Sequence, residues 1–545
     1  MFRTKSLIIV LIITILGAFL RLYGLESFPI QLNHDEVTQL YDAISIAETG
    51  KDIYGNSYPF IFKSVNDYKP PFYTYSTAVV YKFLGWRDLT IKIPAILFGI
   101  LIIPAMFVFT NLLFKNRMVG IIASFFTAIV PFEIFYSRKG FESGAGIFFM
   151  IIGFSLLIYF LERSKPRVYL ILSAIFFGIA LYTYFSHVFI IPLVLLVFYF
   201  HYKKYFDKIE RKSLFLSLII GILVILPLVY LIFTNPEASN RTQAVFISQD
   251  TILGRLLEGT ANNWFYKEFI TIQYAFNRYL GHFDFSFLFV NGLDFTNQGF
   301  FGIGPLYLIQ LPLFILGLLY LVRNPNFSNF KGFIFLWILL GMVPSGLTFE
   351  LHSPHRSVMV FTMLNIISAV GLYWVIEYIH KWKKTYKFVI YLSLSTLFLL
   401  NIIYFIHMYT VNYPYEKSQF IQYPFKEVAL YSWSRYNDFN QIIIDPQFGQ
   451  SQPVIATGTH YYLGLYGNYP PLRMQEEFKD GEGIRETKFD KFSIRKVDFL
   501  VDKDLKDTLL IASSWSLPED IKNRAEIIKT FYFYDGKEAF YAIKL

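Results

Sequence analysis

Leu7-Ile-Ile-Val-Leu-Ile-Ile-Thr-Ile-Leu-Gly-Ala-Phe-Leu-Arg-Leu22 is interrupted by only two polar side chains, Thr14 and Arg21. About 20 such residues, rising 1.5 Å each, cross a hydrocarbon core of about 30 Å. Arg3 and Lys5 precede the run as they would a signal peptide. No small-x-small cleavage site follows, so the run reads as a retained helix. Comparable runs recur, giving eleven candidate spans at about 6–23, 89–114, 118–137, 144–162, 167–184, 186–202, 213–233, 305–322, 332–350, 357–379 and 387–411. Backbone groups in lipid must be paired within their own segment, so these runs are expected to be helices.

Composition agrees. Of 545 residues, 54% are hydrophobic, 20% aromatic and 16% charged, whereas soluble domains carry about 25% charged residues. The absence of cysteine excludes disulfides, thiolate metal sites and cysteine nucleophiles. The net charge of +9 does not imply nucleic acid, because the Lys and Arg residues lie in short loops between apolar runs. One alternating set of these loops holds Arg3, Lys5, Lys115, Arg117, Arg163, Lys203, Lys204, Arg211, Lys212, Lys381, Lys383 and Lys384 among others. The opposite short loops hold Arg138, Lys139 and Arg356. By the positive-inside rule the N-terminus is cytoplasmic. Three long segments then lie outside: 24–88, 234–304 and 412–545. The predicted architecture is an all-α polytopic membrane domain, 1–411, with amphipathic helices in its first outer loop, and a small extracytoplasmic α/β domain, 412–545. In the tail, 441–445 and 497–501 read as strands, 527–533 and 539–543 as a hairpin around Asp535-Gly536, and 425–436 and 518–525 as helices.

The first outer loop carries the most chemistry. Asn33-His34-Asp35-Glu36 opens a helical pattern that ends at Thr49-Gly50. Acids at a helix start also simply complement its dipole, for about 0.3–1 kcal/mol. Farther on, Asp67-Tyr68-Lys69-Pro70-Pro71-Phe72-Tyr73 fixes an extended backbone before a second amphipathic segment. Lys69 is held there near the headgroups, where snorkelling is its ordinary role.

Together with Arg21-Leu-Tyr-Gly-Leu25, these motifs resemble prokaryotic members of the protein O-mannosyltransferase and lipid A aminoarabinose transferase family, within the GT-C superfamily of membrane glycosyltransferases. Pro131-Phe-Glu-Ile-Phe-Tyr-Ser-Arg138, Gly302-x-Gly304-Pro305 and His352-Ser-Pro-His-Arg-Ser357 fit the pattern in order, so the resemblance covers roughly residues 15–375. It implies a polyprenyl-phosphate sugar donor, a reaction on the non-cytoplasmic face, Asp35 as general base, and Glu36 as its support or an acceptor contact. An attacking hydroxyl must lose its proton, which a carboxylate within about 2.6–3.2 Å accepts. The departing lipid phosphate needs cations around its growing charge. Lys69 is the first candidate, Arg356 the second, with a fork suited to phosphate, and Arg138 the third. His34, Tyr68, His352 and His355 are candidate substrate contacts. Some relatives bind a divalent cation near the donor phosphate, but residue 68 is Tyr where they carry an acid, and two histidines lack a third ligand. No metal ligand set is therefore assigned, and a divalent cation remains only an option.

Weaker candidates are Lys139 and Glu142, His187 at a span end, and Arg241, Arg278, His282, Asp284 and Asp294 among the aromatics of the outer segment 234–304. Those aromatics suit either sugar stacking or anchoring at the bilayer interface. There is no G-x-x-x-x-G-K-[ST], H-E-x-x-H or G-x-S-x-G motif. The expected function is inverting sugar transfer from a polyprenyl phosphate to a hydroxyl of a protein, lipid or polysaccharide, at a prokaryotic cell membrane. The alternatives are an oligosaccharyltransferase or glycan polymerase of the same superfamily, or a lipid-linked sugar flippase. A flippase would place ionisable residues mid-span.

Overall fold

The computed structural model describes residues 4–545 except 66, 164–165, 208, 235–244, 260–262, 294–297, 325–327, 479–485, 518 and 523–525. It divides into two compact units. One contains Met1–Tyr23 and Pro94–Met408, the other Gly24–Ile93 and Tyr409–Leu545. The division differs from a boundary at 411/412: the first loop shares a unit with the tail.

Ten of the eleven apolar segments overlap a single helix, and 118–137 is divided between two. Among the described residues seven helices are long and apolar enough to span a membrane alone, the last being Lys384–Lys417. An eighth span arises if Arg117–Ile129 and Pro131–Arg138, bent by 53°, are one crossing. The bend has a local cause. Pro131 removes a backbone donor and excludes Val130 from helical geometry, leaving Val130 extended at φ −67°, ψ 147°. Val168–Leu181, Gln310–Arg323 and Phe330–Gly346 are apolar but shorter. The chain is thus a multi-pass membrane protein by length and composition, and a count of eleven crossings goes beyond those two criteria. Burial ranks the helices. The best span window of Val358–Ile379 is 78% buried, against 11% for Arg211–Leu231 and Lys384–Lys417, so the first is central and the other two are peripheral. Gln310–Arg323 meets that central helix backbone to backbone. A Cβ on Gly371 would lie 1.8 Å from the Leu313 carbonyl, and one on Gly317 2.0 Å from that of Ile367. Small residues permit such close approach in lipid.

The second unit is α/β. Its six-stranded mixed sheet runs, in spatial order, Thr487–Phe489, Phe492–Ile494, Gln441–Ile444, Thr508–Ser513, Glu538–Lys544 and Ile527–Tyr532. Gln441–Ile444 lies parallel to both of its neighbours, and the last two strands form the expected antiparallel hairpin. Gly536, at φ +85°, makes its turn. The helix at 424–434 also matches, and Glu519–Lys522 is helical within the described part of 518–525. The expected strand at 497–501 is absent. Asp498 instead accepts the Leu500 N–H at 3.1 Å and starts a short helix, Phe499–Asp502. An Asp that satisfies a helix-start donor competes directly with strand pairing. The sheet is completed by Thr508–Ser513, buried along its whole length.

Within this unit the helix His34–Thr49 forms as expected and is buried almost throughout. Tyr41 donates from Oη to the Tyr469 carbonyl at 2.8 Å, and Tyr462 to that of Leu32 at 3.2 Å. Gln31 reaches the Ile421 carbonyl at 3.0 Å.

Candidate functional site

Asn33 caps the helix His34–Thr49. Its Oδ1 accepts the Glu36 N–H at 3.1 Å, and Glu36 Oε2 accepts the Asn33 N–H at 3.0 Å, a closed capping box. Glu36 is buried and its carboxylate turns back to the helix start. Asp35 is left on the first turn with its side chain 18% exposed.

Lys69 arrives from a different element. Phe62–Ser64 and Asp67–Lys69 pair antiparallel, with Lys69 opposite Phe62. Pro70 and Pro71 then end the strand and start the helix Pro71–Leu84. The Lys69 side chain, 4% exposed, brings Nζ to 2.9 Å from Asp35 Oδ1. His34 Nε2 stands 3.8 Å from Asp35 Oδ2. A charge as buried as this ammonium repays its desolvation only through close geometry. Tyr68 is the preceding strand residue, so alternation directs it to the other face of the hairpin.

Two turns along, Asp42 is fully buried, and burial followed by the nearby Asp52 charge pushes its carboxyl well above the usual carboxylate range. Tyr461 Oη lies 3.5 Å from its Oδ2. The sequence gives no sign of this, because a lone acid in an amphipathic helix ordinarily faces water.

The other expected residues lie in the first unit. Arg356 Nη1 is 2.9 Å from Glu350 Oε2 and donates to Ser353 Oγ at 3.0 Å, while Ser353 Oγ donates to the same carboxylate oxygen at 2.8 Å. His355 Nε2 lies 4.0 Å from that oxygen, and its ring meets Phe141 and Tyr184 edge-on. His352, at φ +56°, stacks on Phe287 at 4.3 Å and donates from Nε2 to the Gly281 carbonyl at 3.1 Å. His282 donates from Nδ1 to the Arg278 carbonyl at 2.8 Å and accepts the Ser353 N–H at Nε2, 3.4 Å. Burial pushes His282 down to about 4 and lowers His352, so neutral rings support this loop.

Arg138 is buried, and its Nη1 donates to the carbonyls of Leu20, Arg21 and Tyr23 at 3.1, 3.1 and 2.7 Å, capping Thr4–Leu22. Arg21 reciprocates by donating to the Thr127 and Ala128 carbonyls at 2.9 Å each, which caps Arg117–Ile129. Arg21 was legible only as part of a motif. Lys139 donates to Gln298 Oε1 at 3.2 Å, and His187 Nδ1 is 2.9 Å from Thr183 Oγ1. Arg241 and Asp294 lie outside the described residues. Asp35, Lys69 and His34 are therefore gathered in one unit, and Glu350, Ser353, His355 and Arg356 in the other.

Among the described residues no three His, Asp or Glu side chains group closely enough to hold a metal ion. Beside Asp35 the positive charge is the Lys69 ammonium, so the residues present do not make a divalent-cation site there.

The family described as dolichyl-phosphate-mannose-protein mannosyltransferase matches residues 68–231, a stretch that includes Lys69 and Arg138 but neither Asp35 nor Arg356. No curated protein matches. Among solved structures, ArnT from Cupriavidus metallidurans bound to undecaprenyl phosphate is similar at 13% identity and TM-score 0.54, over 99% of this chain and 97% of that one. The archaeal oligosaccharyltransferase AglB from Archaeoglobus fulgidus, in complex with an inhibitory peptide and a dolichol-phosphate, is similar at 12% identity and TM-score 0.53, over 85% of this chain. The match spans 64% of AglB's length. The chain has the fold of the GT-C membrane glycosyltransferases and resembles, among them, the protein O-mannosyltransferase and ArnT group.

Proposed function

We propose that the chain is an inverting glycosyltransferase moving a sugar from a polyprenyl phosphate to an acceptor hydroxyl at the outer face of a prokaryotic cytoplasmic membrane. In this reading the eleven apolar helices all cross, the N-terminus is cytoplasmic, and the tail from 412 is extracytoplasmic. The observation that carries the proposal is the Asp35–Lys69 pair, in which a nearly buried ammonium holds a partly exposed carboxylate at 2.9 Å. Asp35 takes the acceptor's proton as its oxygen bonds to the anomeric carbon. The bond from that carbon to the phosphate oxygen breaks on the opposite side, and its electron pair leaves with the lipid phosphate. A single displacement of this kind inverts the centre. Lys69 orients the base and offers charge to the departing phosphate, with Arg356 as the second cation. Glu36 supports the base through the helix cap, and Arg138 fixes a helix end. His34, Tyr68, His352 and His355 act on substrate through their loops.

A second reading, oligosaccharide transfer or glycan polymerisation, draws on the likeness to AglB. Both readings share the lipid donor. The test is to incubate purified protein in nanodiscs with polyprenyl-phosphate sugars and crude acceptor membranes. Released polyprenyl phosphate and a product of inverted anomeric configuration are expected. Release from lipid-linked oligosaccharides alone selects the second reading, a retained configuration removes the single displacement, and no release from any donor overturns both.

A further inference from the structure

The helix Trp264–Gly281 presents Phe265, Phe269, Ile272, Phe276 and Leu280 along one line, at spacings of four, three, four and four. Each is between 48% and 66% exposed. Half-exposed side chains of this size leave on the order of 100 Å² apiece. Their sum, about 500 Å², matches the largest apolar patches of soluble monomers, which are often functional. Glu268, Gln273 and Asn277 are the exposed polar residues beside the stripe.

The opposite face is tied down. Arg278 pairs with Asp250 at 3.0 Å, and Tyr274 Oη donates to Asp250 Oδ2 at 2.9 Å. Arg278 also donates to the carbonyls of Thr348 and Phe349, just past the helix Ser328–Gly346. Tyr279 packs where Gly346 leaves no room for a Cβ, its Cα 2.9 Å from that position, and its hydroxyl reaches the Leu339 carbonyl at 2.9 Å. The amphipathic helix is therefore fastened to the end of an apolar bundle helix, and it meets that helix at Leu339, itself an exposed apolar residue.

We infer that Trp264–Gly281 lies in the bilayer plane at the Gly346 end of that helix, with the Phe265-to-Leu280 stripe in the headgroup–hydrocarbon boundary. The occupant of the stripe is lipid because the stripe continues the exposed apolar surface of the helix that tethers it. Trp264 and Tyr266, both exposed at its first turn, are the residue types that settle at such a boundary. An apolar face of this kind buries about 5–10 Å into the interface. The inference does not depend on sugar transfer.

The absence of cysteine makes the test direct, since one introduced thiol takes a nitroxide label uniquely. Full-length Phe269→Cys, Ile272→Cys and Gln273→Cys are labelled in lipid nanodiscs, and collision rates with oxygen and with a water-soluble nickel chelate are read by spin resonance. The first two labels are expected to favour oxygen several-fold, at a depth of about 5–10 Å, and the Gln273 label to favour nickel. Two independent stripe positions guard against one variant misfolding. Nickel access at Phe269 and Ile272 equal to that at Gln273 would put the helix in water and overturn the inference. Exclusion of both probes would overturn it in favour of a protein partner or a second copy of the chain.

Discussion

Asp35–Lys69 in one compact unit and Glu350–Arg356 in the other are both carboxylate–cation pairs 2.9 Å long, yet they are built differently. The first joins a helix cap to a strand end, with the Lys side chain 4% exposed. The second closes within one loop, with a Glu that is 32% exposed. A pair assembled from separate elements is held by everything that holds those elements, and its charges are harder to rehydrate. A local pair can open toward water at little cost. The contrast is thus between a pair locked by its elements and a pair free to open.

Asp35→Asn breaks the comparison most severely. It keeps the shape and is expected to lower sugar transfer by about 10²–10⁴-fold with donor binding retained, as for loss of a general base. Full turnover in that variant would remove Asp35 from the chemistry. Lys69→Ala takes the ammonium away from the partly exposed Asp35 carboxylate and is expected to cost about 1–3 kcal/mol in thermal or denaturant unfolding, together with donor binding by titration. Asp35→Asn combined with Lys69→Met should recover much of that stability without activity. If the double variant is no more stable than Lys69→Ala, the pair is not what holds the hairpin to the helix. Glu350→Gln, in the exposed pair, is expected to change stability by about 1 kcal/mol or less, while Arg356→Lys should raise the donor KM because the guanidinium fork is lost. A stability loss in Glu350→Gln as large as in Lys69→Ala would erase the distinction between the two pairs.

Asp42 sharpens the contrast from within a single helix. Its folded value is raised, so from the unfolded value of 3.8 upward the folded state holds the proton that the unfolded state releases, and stability falls as pH rises through that window. Asp42→Asn removes this slope. A gain in stability near neutral pH, disappearing below the unfolded value, is expected in melts taken across pH. A parallel pH dependence in wild type and variant would mean that Asp42 is not the group responsible.

Lipid made most of the fold legible, because it demands long apolar runs and leaves them no backbone choice but helix. The helix His34–Thr49 was equally readable, since Asn33, Glu36 and Gly50 are start and stop signals in themselves. What escaped were contacts between distant segments. Nothing local marks that Gln31 will meet Ile421 or Tyr41 meet Tyr469, so the first loop was grouped with the spans that flank it. Thr508–Ser513 escaped for another reason: buried on both faces, it lacks the alternation that announces a half-buried strand. In the site, the residue types at 35, 69 and 356 were readable, but their partners were not. Arg138 drew attention as a stray charge, whereas its three carbonyls belong to a helix more than one hundred residues earlier.

That reciprocal clasp of Arg21 and Arg138 also sets a timetable for biogenesis. Arg21 is made 107 residues before the carbonyl of Ala128 that it caps. At about 5–20 residues per second, it waits roughly 5–20 s for that partner. The helix Thr4–Leu22 therefore leaves the ribosome well before the partner that fixes it. Until the proline-bent pair follows it, its arginine lacks the Thr127 and Ala128 carbonyls, and only then can this helix lock into the bundle.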